Sequence, residues 1–422
     1  MPRRLTIICC LLLALVPASA DAKRGPCRPD GSGPTCFVWT GHVTSINDGD
    51  TFDVDIDGDH TKHAYHIRFV GIQAMELTVH SENPRKRRGQ CHGLEATNFV
   101  VNEVRKAHGR VRLTVQHPTK DHLGRLFRSP QLRIGGKWVD LGQLEMERGL
   151  TLWMHHEASI DRLYNELEQQ AALRGIGMFD TTHCGSGPDQ DVPLKVMVMS
   201  DPFGDEARDG FNTEWVRIQN LSLTKPISLA RWWMRDSELR RYTFPAGTVV
   251  PAGKTITLHV GRGSRSPTDF YWGLRNSVWE NSIGGGGVGD GGYLFDPKGD
   301  LRAWMIYPCL VNCTDPNQGA VRVTANPSGS EYVRVGNVSS HTVDLYGYEL
   351  RFPGGYAFPE GTVLDPGQSV RVNIEGSPST DSPRVLHLGN SGPYMPDSGG
   401  SVELTTFSEV RLACDAWGNG HC

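Results

Sequence analysis

The stretch "DGDTFDVDIDGDH", residues 48–60, holds six aspartates within thirteen residues. The spacing of the last four is similar to the start of a helix–loop–helix calcium loop, whose ligand set is completed by a glutamate at the twelfth position. That position is Ala64 here, and the segments on both sides alternate like strands. We therefore predict a hairpin turn at Asp57-Gly58, with Asp53 and Asp55 on the solvent face of its first strand.

The segments around this stretch combine strand and helix patterns. "HVTSI", "TFDVDI" and "AYHIRFVGI" have apolar residues at period two and are separated by Asp-Gly turns, which is typical of a β-meander. Helical spacing follows in "GLEATNFVVNEVRKA" and, after two more strand patterns, over residues 141–148 and 160–173. The pattern predicts an α+β domain built round a small barrel over residues 37–180.

The chain changes character after residues 181–192, which have the composition of a linker. Short strand patterns and Gly/Pro turns dominate, and the sequence repeats internally. "EWVRIQNLSLTKPISL" (214–229) aligns with "EYVRVGNVSSHTVDL" (331–345), and "YTFPAGTVVPAGKTITL" (242–258) aligns with "YAFPEGTVLDPGQSVRV" (356–372). Two such repeats predict tandem β-sandwiches.

Residues 1–20, "MPRRLTIICCLLLALVPASA", have the basic start, apolar middle and small-residue end of a secretory signal peptide. The apolar run is shorter than the ~20 residues that a membrane span requires, and no later stretch is apolar enough to span. Without this segment the chain has 41 basic and 47 acidic residues, so long-range attraction does not favour nucleic acid and any such binding must be local. We expect an exported, secreted protein with no membrane span.

The eight cysteines that follow the predicted signal peptide are expected to form disulfides, because their number is even and their spacings do not match usual zinc sites. Cys309 is expected to pair with Cys313, and Cys414 with Cys422. The pairing of the other four stays open: Cys27, Cys36, Cys91 and Cys184.

Five short motifs occur in the first domain: "DGDT" (48–51), "IRFVGIQAMEL" (67–77), "GLEA" (93–96), "DHLGRLF" (121–127) and "ERGL" (147–150). In this order and at these separations, the set closely resembles the staphylococcal nuclease-like (thermonuclease) family over residues 41–180. The resemblance implies an OB-fold barrel with a calcium-dependent phosphodiesterase site that acts on DNA or RNA and leaves a 3′-phosphate.

Position by position, the resemblance implies roles for four residues. Asp50 matches a metal ligand, and Glu76 matches the glutamate that positions or deprotonates the attacking water. Arg68 and Arg125 match the two phosphate-clamping arginines. These residue types suit the chemistry, because guanidinium groups offer bidentate donors to the charge that builds on a phosphodiester and a carboxylate can act as general base.

The sequence departs from the family at the cation site. Gln73 stands where the family has its second metal aspartate, and Ala74, whose backbone carbonyl would ligate the metal, is followed by Met75 instead of the usual proline. Calcium affinity falls as ligand charge is removed. We therefore predict a weaker calcium requirement or an altered metal preference rather than outright loss.

Further residues are candidates for substrate binding. Arg87 and Arg88 belong to "RKRR" (85–88), which is either a solvated charge run or a phosphate-contacting flap beside the site. By resemblance, aromatic residues just after "RGL" pack on a nucleotide base, and Trp153 and His155 occupy that stretch.

The second half resembles the lamin tail domain, an immunoglobulin-like sandwich, over residues 193–312. The copy over residues 318–418 is more divergent. The tryptophans of the first copy are expected in the sandwich core: Trp232, Trp233, Trp272 and Trp279. The leading hypothesis is a secreted calcium-dependent nuclease whose sandwiches hold substrate or attach to a surface partner such as the cell wall. The alternative is a non-catalytic nucleic-acid-binding or cell-surface adhesion protein with a degenerate metal site.

Overall fold

The computed structural model describes residues 23–77, 89–185, 192–200, 210–238, 240–281, 288–390 and 394–422. The "RKRR" segment with Arg87 and Arg88 and the predicted signal peptide lie outside these residues. Among the helices that are described, none combines the length and the apolar character that a membrane crossing requires.

The first domain contains nine strands and three α-helices in its described residues. The strands are β1 (Lys23–Pro26), β2 (Thr35–Ile46), β3 (Thr51–Ile56), β4 (Ala64–Phe69), β5 (Ile72–Ala74), β6 (Arg110–Val115), β7 (Leu126–Ile134), β8 (Lys137–Asp140) and β9 (Thr151–Trp153). The helices are α1 (Gly93–Lys106), α2 (Leu141–Met146) and α3 (Ala158–Arg174), followed by a 3₁₀ turn over Gly177–Phe179.

Five of these strands close a barrel in the order β2–β3–β4–β7–β6, and β6 pairs back with β2. The closure leaves no free edge among the five. Apolar residues alternate into the interior, as Phe52, Val54 and Ile56 do on β3. The predicted barrel with added helices is confirmed.

The aspartate-rich stretch forms the hairpin that its alternation predicts, because β3 and β4 pair antiparallel with Asp55 opposite Ala64. The connection is longer than a two-residue turn and runs over residues 57–63, with Gly58 at φ 81°. Asp53 and Asp55 lie on the half-buried outer face. Asp57 contacts Arg110 at 3.0 Å, an exposed pair, and strands flank the loop, so this is no calcium loop.

The second half forms two sandwiches whose strands repeat in the same order. The strands of the first sandwich are β10 (Leu194–Met199), β11 (Trp215–Asn220), β12 (Ile227–Ser228), β13 (Trp233–Arg235), β14 (Arg241–Thr243), β15 (Val249–Val250), β16 (Thr255–His259), β17 (Asp269–Tyr271), β18 (Asp290–Phe295) and β19 (Leu301–Tyr307). Those of the second are β20 (Val321–Asn326), β21 (Tyr332–Asn337), β22 (Val343–Asp344), β23 (Tyr348–Arg351), β24 (Tyr356–Ala357), β25 (Val363–Leu364), β26 (Ser369–Glu375), β27 (Val385–Asn390), β28 (Gly399–Thr406) and β29 (Arg411–Gly418), with 3₁₀ turns over Leu345–Gly347 and Pro378–Thr380.

The sheet order is the same in both sandwiches. In the first, the main sheets are β10-β11-β16-β17 and β14-β13-β18-β19, and β12 pairs with β15. In the second, the main sheets are β20-β21-β26-β27 and β24-β23-β28-β29, and β22 pairs with β25.

The residues shared by the two repeats perform the same structural tasks in both sandwiches. The buried carboxylates of Glu214 and Glu331 each accept hydrogen bonds from two consecutive backbone N–H groups, those of Val278 and Trp279 and those of Tyr394 and Met395. The Asn220 and Asn337 amides each donate to backbone carbonyls of neighbouring loops. The internal repeat is therefore a repeat of fold, compatible with two immunoglobulin-like domains.

The barrel domain and the first sandwich share a hydrophobic core. One cluster joins barrel residues to sandwich residues: Met75, Leu152, Ala171, Met178, Phe179, Trp233, Tyr293, Phe295, Leu301 and Ile306. Trp233 stacks on Phe295 at 4.1 Å between ring centroids. Trp232 and Trp279 lie in the sandwich core and Trp272 packs against it, as predicted. For Trp233 the expectation is wrong, because this residue belongs to the core shared with the barrel.

Four disulfides are present in the described chain. Cys309–Cys313 and Cys414–Cys422 confirm the two predicted local pairs. The pairs that the sequence left open are Cys27–Cys36 at the start of the barrel and Cys91–Cys184, which joins the approach to α1 to the end of the domain. Four disulfides fit a protein that folds in an oxidising compartment.

Candidate active site

Asp50 lies where the "DGDT" turn enters β3, and it is 4% exposed. The backbone N–H of Asp50 donates to Asp48 Oδ1 at 3.1 Å, which shapes the turn. Gly49 allows the close packing behind it, since a Cβ there would lie 2.7 Å from the Ala96 Cβ and 2.8 Å from the Ala74 Cβ. The Asp50 carboxylate is thus fixed against α1 and β5.

Arg68 on β4 points at this carboxylate. Its Nη2 lies 3.3 Å from Asp50 Oδ2 and donates to Gln73 Oε1 at 2.6 Å, and its Nη1 donates to the Phe69 carbonyl at 3.0 Å. Asp50 Oδ2 also accepts the Ala74 backbone N–H at 2.8 Å. The guanidinium is only 4% exposed, so the pair is a buried, charge-assisted unit.

The Gln73 side chain joins the remaining polar groups of this unit. Its Nε2 donates to Asp50 Oδ2 at 3.2 Å and to the Ala74 carbonyl at 3.0 Å, which are the two oxygens that the resemblance assigns to the metal. The opposite amide orientation would place Oε1 against those two oxygens and the NH₂ group against Arg68. Repulsion between the oxygens and between the N–H donors disfavours that orientation, so the amide nitrogen faces Asp50 and the Ala74 carbonyl.

A calcium ion does not fit this arrangement. Calcium takes six to eight oxygen ligands from carboxylates, carbonyl groups and waters. At the predicted position one carboxylate and one carbonyl already face N–H donors, and the Gln73 oxygen is turned away toward Arg68. The residues predicted to hold calcium, Asp50, Gln73 and Ala74, come together in space, but the amide nitrogen lies between the oxygens.

Arg125 reaches the site from the turn before β7. Asp121 accepts its Nε at 2.6 Å and its backbone N–H at 2.9 Å, and Gly124 at φ 83° completes the turn. Its Nη1 donates to the Thr51 hydroxyl at 3.3 Å. The side chain is 29% exposed, and Nη2 has no hydrogen-bond partner among the residues whose structure is described. Within the described part of the site, Arg125 therefore has a donor open to a ligand.

Glu76 follows β5, and its backbone exchanges hydrogen bonds with Gln90 at 2.8 and 2.9 Å. Burial raises the pKa of its carboxyl and the repulsion of Asp50 adds to the rise, while three arginines oppose it: Arg68, Arg125 and Arg235. The carboxyl thus lies within electrostatic reach of Asp50, Arg68 and Arg125.

Three residues of this neighbourhood were not predicted. Arg235 comes from β13 of the first sandwich, is fully buried and donates to the Met75 sulfur at 3.6 Å. Burial and then the repulsion of Asp50 raise the pKa of Asp48 to about 7. Burial also raises the pKa of Glu145 on α2, with Asp50 and Asp48 adding to it, and its carboxylate oxygens have no partner within the described chain.

The aromatic residues predicted to stack on a base occupy other places. Trp153 is 1% exposed within the barrel core, so the prediction is corrected: its ring has no face open to a base. His155 is half-exposed, and its Nδ1 lies 2.8 Å from Asp161 Oδ2, a hydrogen bond that raises the pKa of the imidazole. Arg87 and Arg88 lie outside the described residues.

The protein combines a closed barrel with two sandwiches, and an arginine–carboxylate cluster lies on the barrel. The model of the Lamin Tail Domain family matches residues 196–308, so the first sandwich contains a lamin tail domain. A search of the curated proteins found no match to the chain. The family match covers about a quarter of the chain and excludes the barrel, so the site must be argued from its own geometry.

Proposed function

We propose that the barrel domain is an OB-fold nuclease domain that hydrolyses phosphodiester bonds of DNA or RNA outside the cell. The observation that carries the proposal is the convergence of residues from distant segments. Asp50 and Arg68 are 3.3 Å apart, and Arg125 reaches Thr51, the neighbour of Asp50, at 3.3 Å. The Glu76 carboxyl responds to all of these charges.

The chemistry follows from the side chains themselves. Arg125, with its open Nη2, holds a phosphate oxygen, and Arg68 adds positive charge beneath it, so the charge that develops on the phosphoryl oxygens is stabilised. Glu76 accepts a proton from the attacking water, whose oxygen bonds to phosphorus as the bond from phosphorus to the 5′ oxygen breaks. The 5′ oxygen takes a proton from solvent and leaves as the hydroxyl group, so the 3′ side keeps the phosphate. Its raised pKa makes it a stronger base than an ordinary glutamate while the arginines keep it ionisable near neutral pH.

Since calcium does not fit the Gln73 arrangement, no step of the proposed reaction depends on the ion. We propose that any calcium requirement is weaker than that of a site with two carboxylates. The lamin tail domain supplies Arg235 to the surroundings of Glu76, and by analogy of fold the sandwiches also hold substrate or attach the enzyme to a surface partner.

The test is cleavage of a 5′-labelled oligonucleotide, as DNA and as RNA, by the full chain. We expect chelator-tolerant cleavage and products whose 3′-phosphate is removed by a phosphatase. We expect Glu76→Gln to lower the cleavage rate on the order of 10²-fold or more. Glu166→Gln on α3 is the matched control, because Glu166 pairs with Arg162 on the exposed helix surface. Equal rates for both variants would remove Glu76 from the reaction.

One observation favours a second candidate function, a non-catalytic nucleic-acid-binding module. Arg68 is buried and its donors contact Asp50, Gln73 and Phe69, so it offers little to a phosphate unless the cluster rearranges. Binding of the oligonucleotide without cleavage, in wild-type protein that is folded by circular dichroism, would support this candidate over the nuclease.

A further inference from the structure

Two histidines and a glutamate come together beside the Cys91–Cys184 disulfide. His92 follows Cys91 at the start of α1, and His183 precedes Cys184 at the end of the domain, so the disulfide brings the two imidazoles side by side. Their rings stack with centroids 4.4 Å apart and planes inclined by 24°. This cluster contains none of the residues of the candidate nuclease site.

The three side chains present their ligand atoms to one small volume. Both imidazoles face the same carboxylate oxygen: His92 Nδ1 lies 3.0 Å and His183 Nε2 3.5 Å from Glu95 Oε2. One ligand atom from each residue lies within 4.8 Å of the others. A cation of about 2 Å coordination distance could contact all three with small side-chain rotations.

The cluster is also held in place before any ligand binds. The disulfide joins its two halves, and the Cys184 backbone N–H donates to Asp300 Oδ1 of the first sandwich at 2.6 Å. His92 is buried, and its ring is held with Nδ1 toward Glu95.

We propose that His92, Glu95 and His183 form a binding site for a transition-metal dication, with Zn²⁺ as the best fit. Two imidazole nitrogens and one carboxylate oxygen select zinc or its neighbours over calcium and magnesium, which prefer oxygen alone. Three protein ligands leave a coordination position open. That position borders a groove of about 810 Å³ whose lining includes Phe99, Arg148 and Ile176.

The site has a structural consequence for the barrel. Gln90, two residues before His92, exchanges backbone and side-chain hydrogen bonds with Glu76. A metal bound to His92 would therefore restrict the motion of the segment whose Gln90 hydrogen-bonds Glu76. Metal binding itself does not depend on whether the barrel cleaves nucleic acid.

The experiment uses the oxidised full chain, stripped with a chelator and titrated with ZnCl₂ by calorimetry. We expect one Zn²⁺ per chain, a raised melting temperature, and at least about a tenfold weaker affinity in Glu95→Gln and His183→Ala. His421→Ala is the matched control, since His421 is exposed and precedes the disulfide-bonded Cys422 as His183 precedes Cys184. Glu95→Gln changes an exposed helix position without changing its size, so it keeps the test independent of folding.

Three results would overturn the proposal. One is no zinc binding by the oxidised wild-type chain. Another is equal affinity in wild type, Glu95→Gln and His183→Ala. The third is binding only after reduction of the disulfides, which would make the cysteine thiolates the ligands. Displacement of zinc by an equal concentration of CaCl₂ would contradict the assigned metal class.

Discussion

Gln73 changes the character of the cation position with one amide group. An aspartate there would repel Asp50 and leave both carboxylates open to a cation, whereas the amide donates to Asp50 and to the Ala74 carbonyl and accepts from Arg68. The amide thus gives Asp50, Arg68 and the Ala74 carbonyl a hydrogen-bond partner without a metal. The buried Asp50–Arg68 pair is thereby satisfied, which avoids the large penalty of an unpaired buried charge.

Replacing Gln73 by aspartate should therefore create a calcium site. We expect Gln73→Asp to bind calcium at least about tenfold more tightly than wild type, because a second carboxylate replaces the N–H donors. The measurement is a calorimetric titration of calcium binding. Gln170→Asp, an exposed change on α3 that adds the same charge, should leave the titration as in wild type. An unchanged midpoint in Gln73→Asp would show that Gln73 does not border the cation position.

Arg235 should set the pH dependence of the reaction from outside the barrel. Its positive charge lowers the pKa of Glu76, so Arg235→Met should raise that pKa further and move the acidic limb of the kcat/KM profile to higher pH. Arg275→Met, at an exposed position of the same sandwich, is the control. A limb that stays in place, or moves to lower pH, would contradict a role for Arg235 as a positioning residue.

The sequence could predict the site residues that lie in motifs resembling the staphylococcal nuclease-like family. Asp50 was predicted from its match in "DGDT", and Arg68 and Gln73 from their matches in "IRFVGIQAMEL". Arg235 could not be predicted, because its contact with Met75 joins residues of different domains. Trp153 was misassigned because a sequence position beside the site does not determine which way a side chain on β9 points.

Helix α3 has polar side chains that are buried against the first sandwich. Glu168 is buried and accepts the Tyr293 hydroxyl at 2.8 Å and the Trp153 backbone N–H at 3.2 Å, so α3 joins the barrel to the first sandwich. Asn165 and Gln169 make further contacts with the sandwich at Tyr307 and Pro308. The helical pattern predicted the element, but it could not show that these polar residues are buried against the sandwich.

This buried carboxyl predicts a pH-dependent stability. Burial raises the pKa of Glu168 to about 8, with Asp290 adding to the rise and Tyr293, Trp153 and Arg235 opposing it. The folded state therefore holds a proton that the unfolded state releases, so stability is highest below the unfolded pKa and falls as pH rises from about 4.5 to about 8.

Glu168→Gln should reduce that fall, because the amide stays neutral at every pH. Melting temperatures measured from pH 5 to pH 8.5 would show a shallower decline in the variant than in wild type. Glu166→Gln changes an exposed carboxylate on the same helix and should follow wild type. An equal decline in all three proteins would mean that Glu168 is already ionised in the folded state.

The barrel and the first sandwich share a continuous hydrophobic core. Barrel residues such as Met75, Leu152 and Phe179 are buried against Trp233 and Phe295 of the sandwich. Internal repetition predicted that two sandwiches exist, because each repeat carries its own strand pattern. It could not predict this packing, since a pattern shows that a face is apolar without showing what covers it.

Removing the sandwiches should therefore damage the barrel. Residues 23–185 alone should melt at a lower temperature than the full chain and bind a hydrophobic dye, because each large apolar side chain left uncovered loses roughly 1.5–3 kcal/mol of burial. Thermal melting and dye fluorescence of the two proteins provide the measurement. If the truncated chain melts at the same temperature as the barrel in the full chain, the shared core contributes little to the stability of the barrel.

The most direct measurement of the nuclease proposal is the single-turnover rate of oligonucleotide cleavage by Arg125→Ala. Arg133→Ala is the matched control, because Arg133 is an exposed arginine on β7, the strand that begins just after Arg125. With enzyme saturating, we predict that Arg125→Ala cleaves on the order of 10²-fold or more slowly than wild type while Arg133→Ala cleaves at the wild-type rate. Equal cleavage rates for wild type and Arg125→Ala, or no cleavage by the folded wild-type chain, would contradict it.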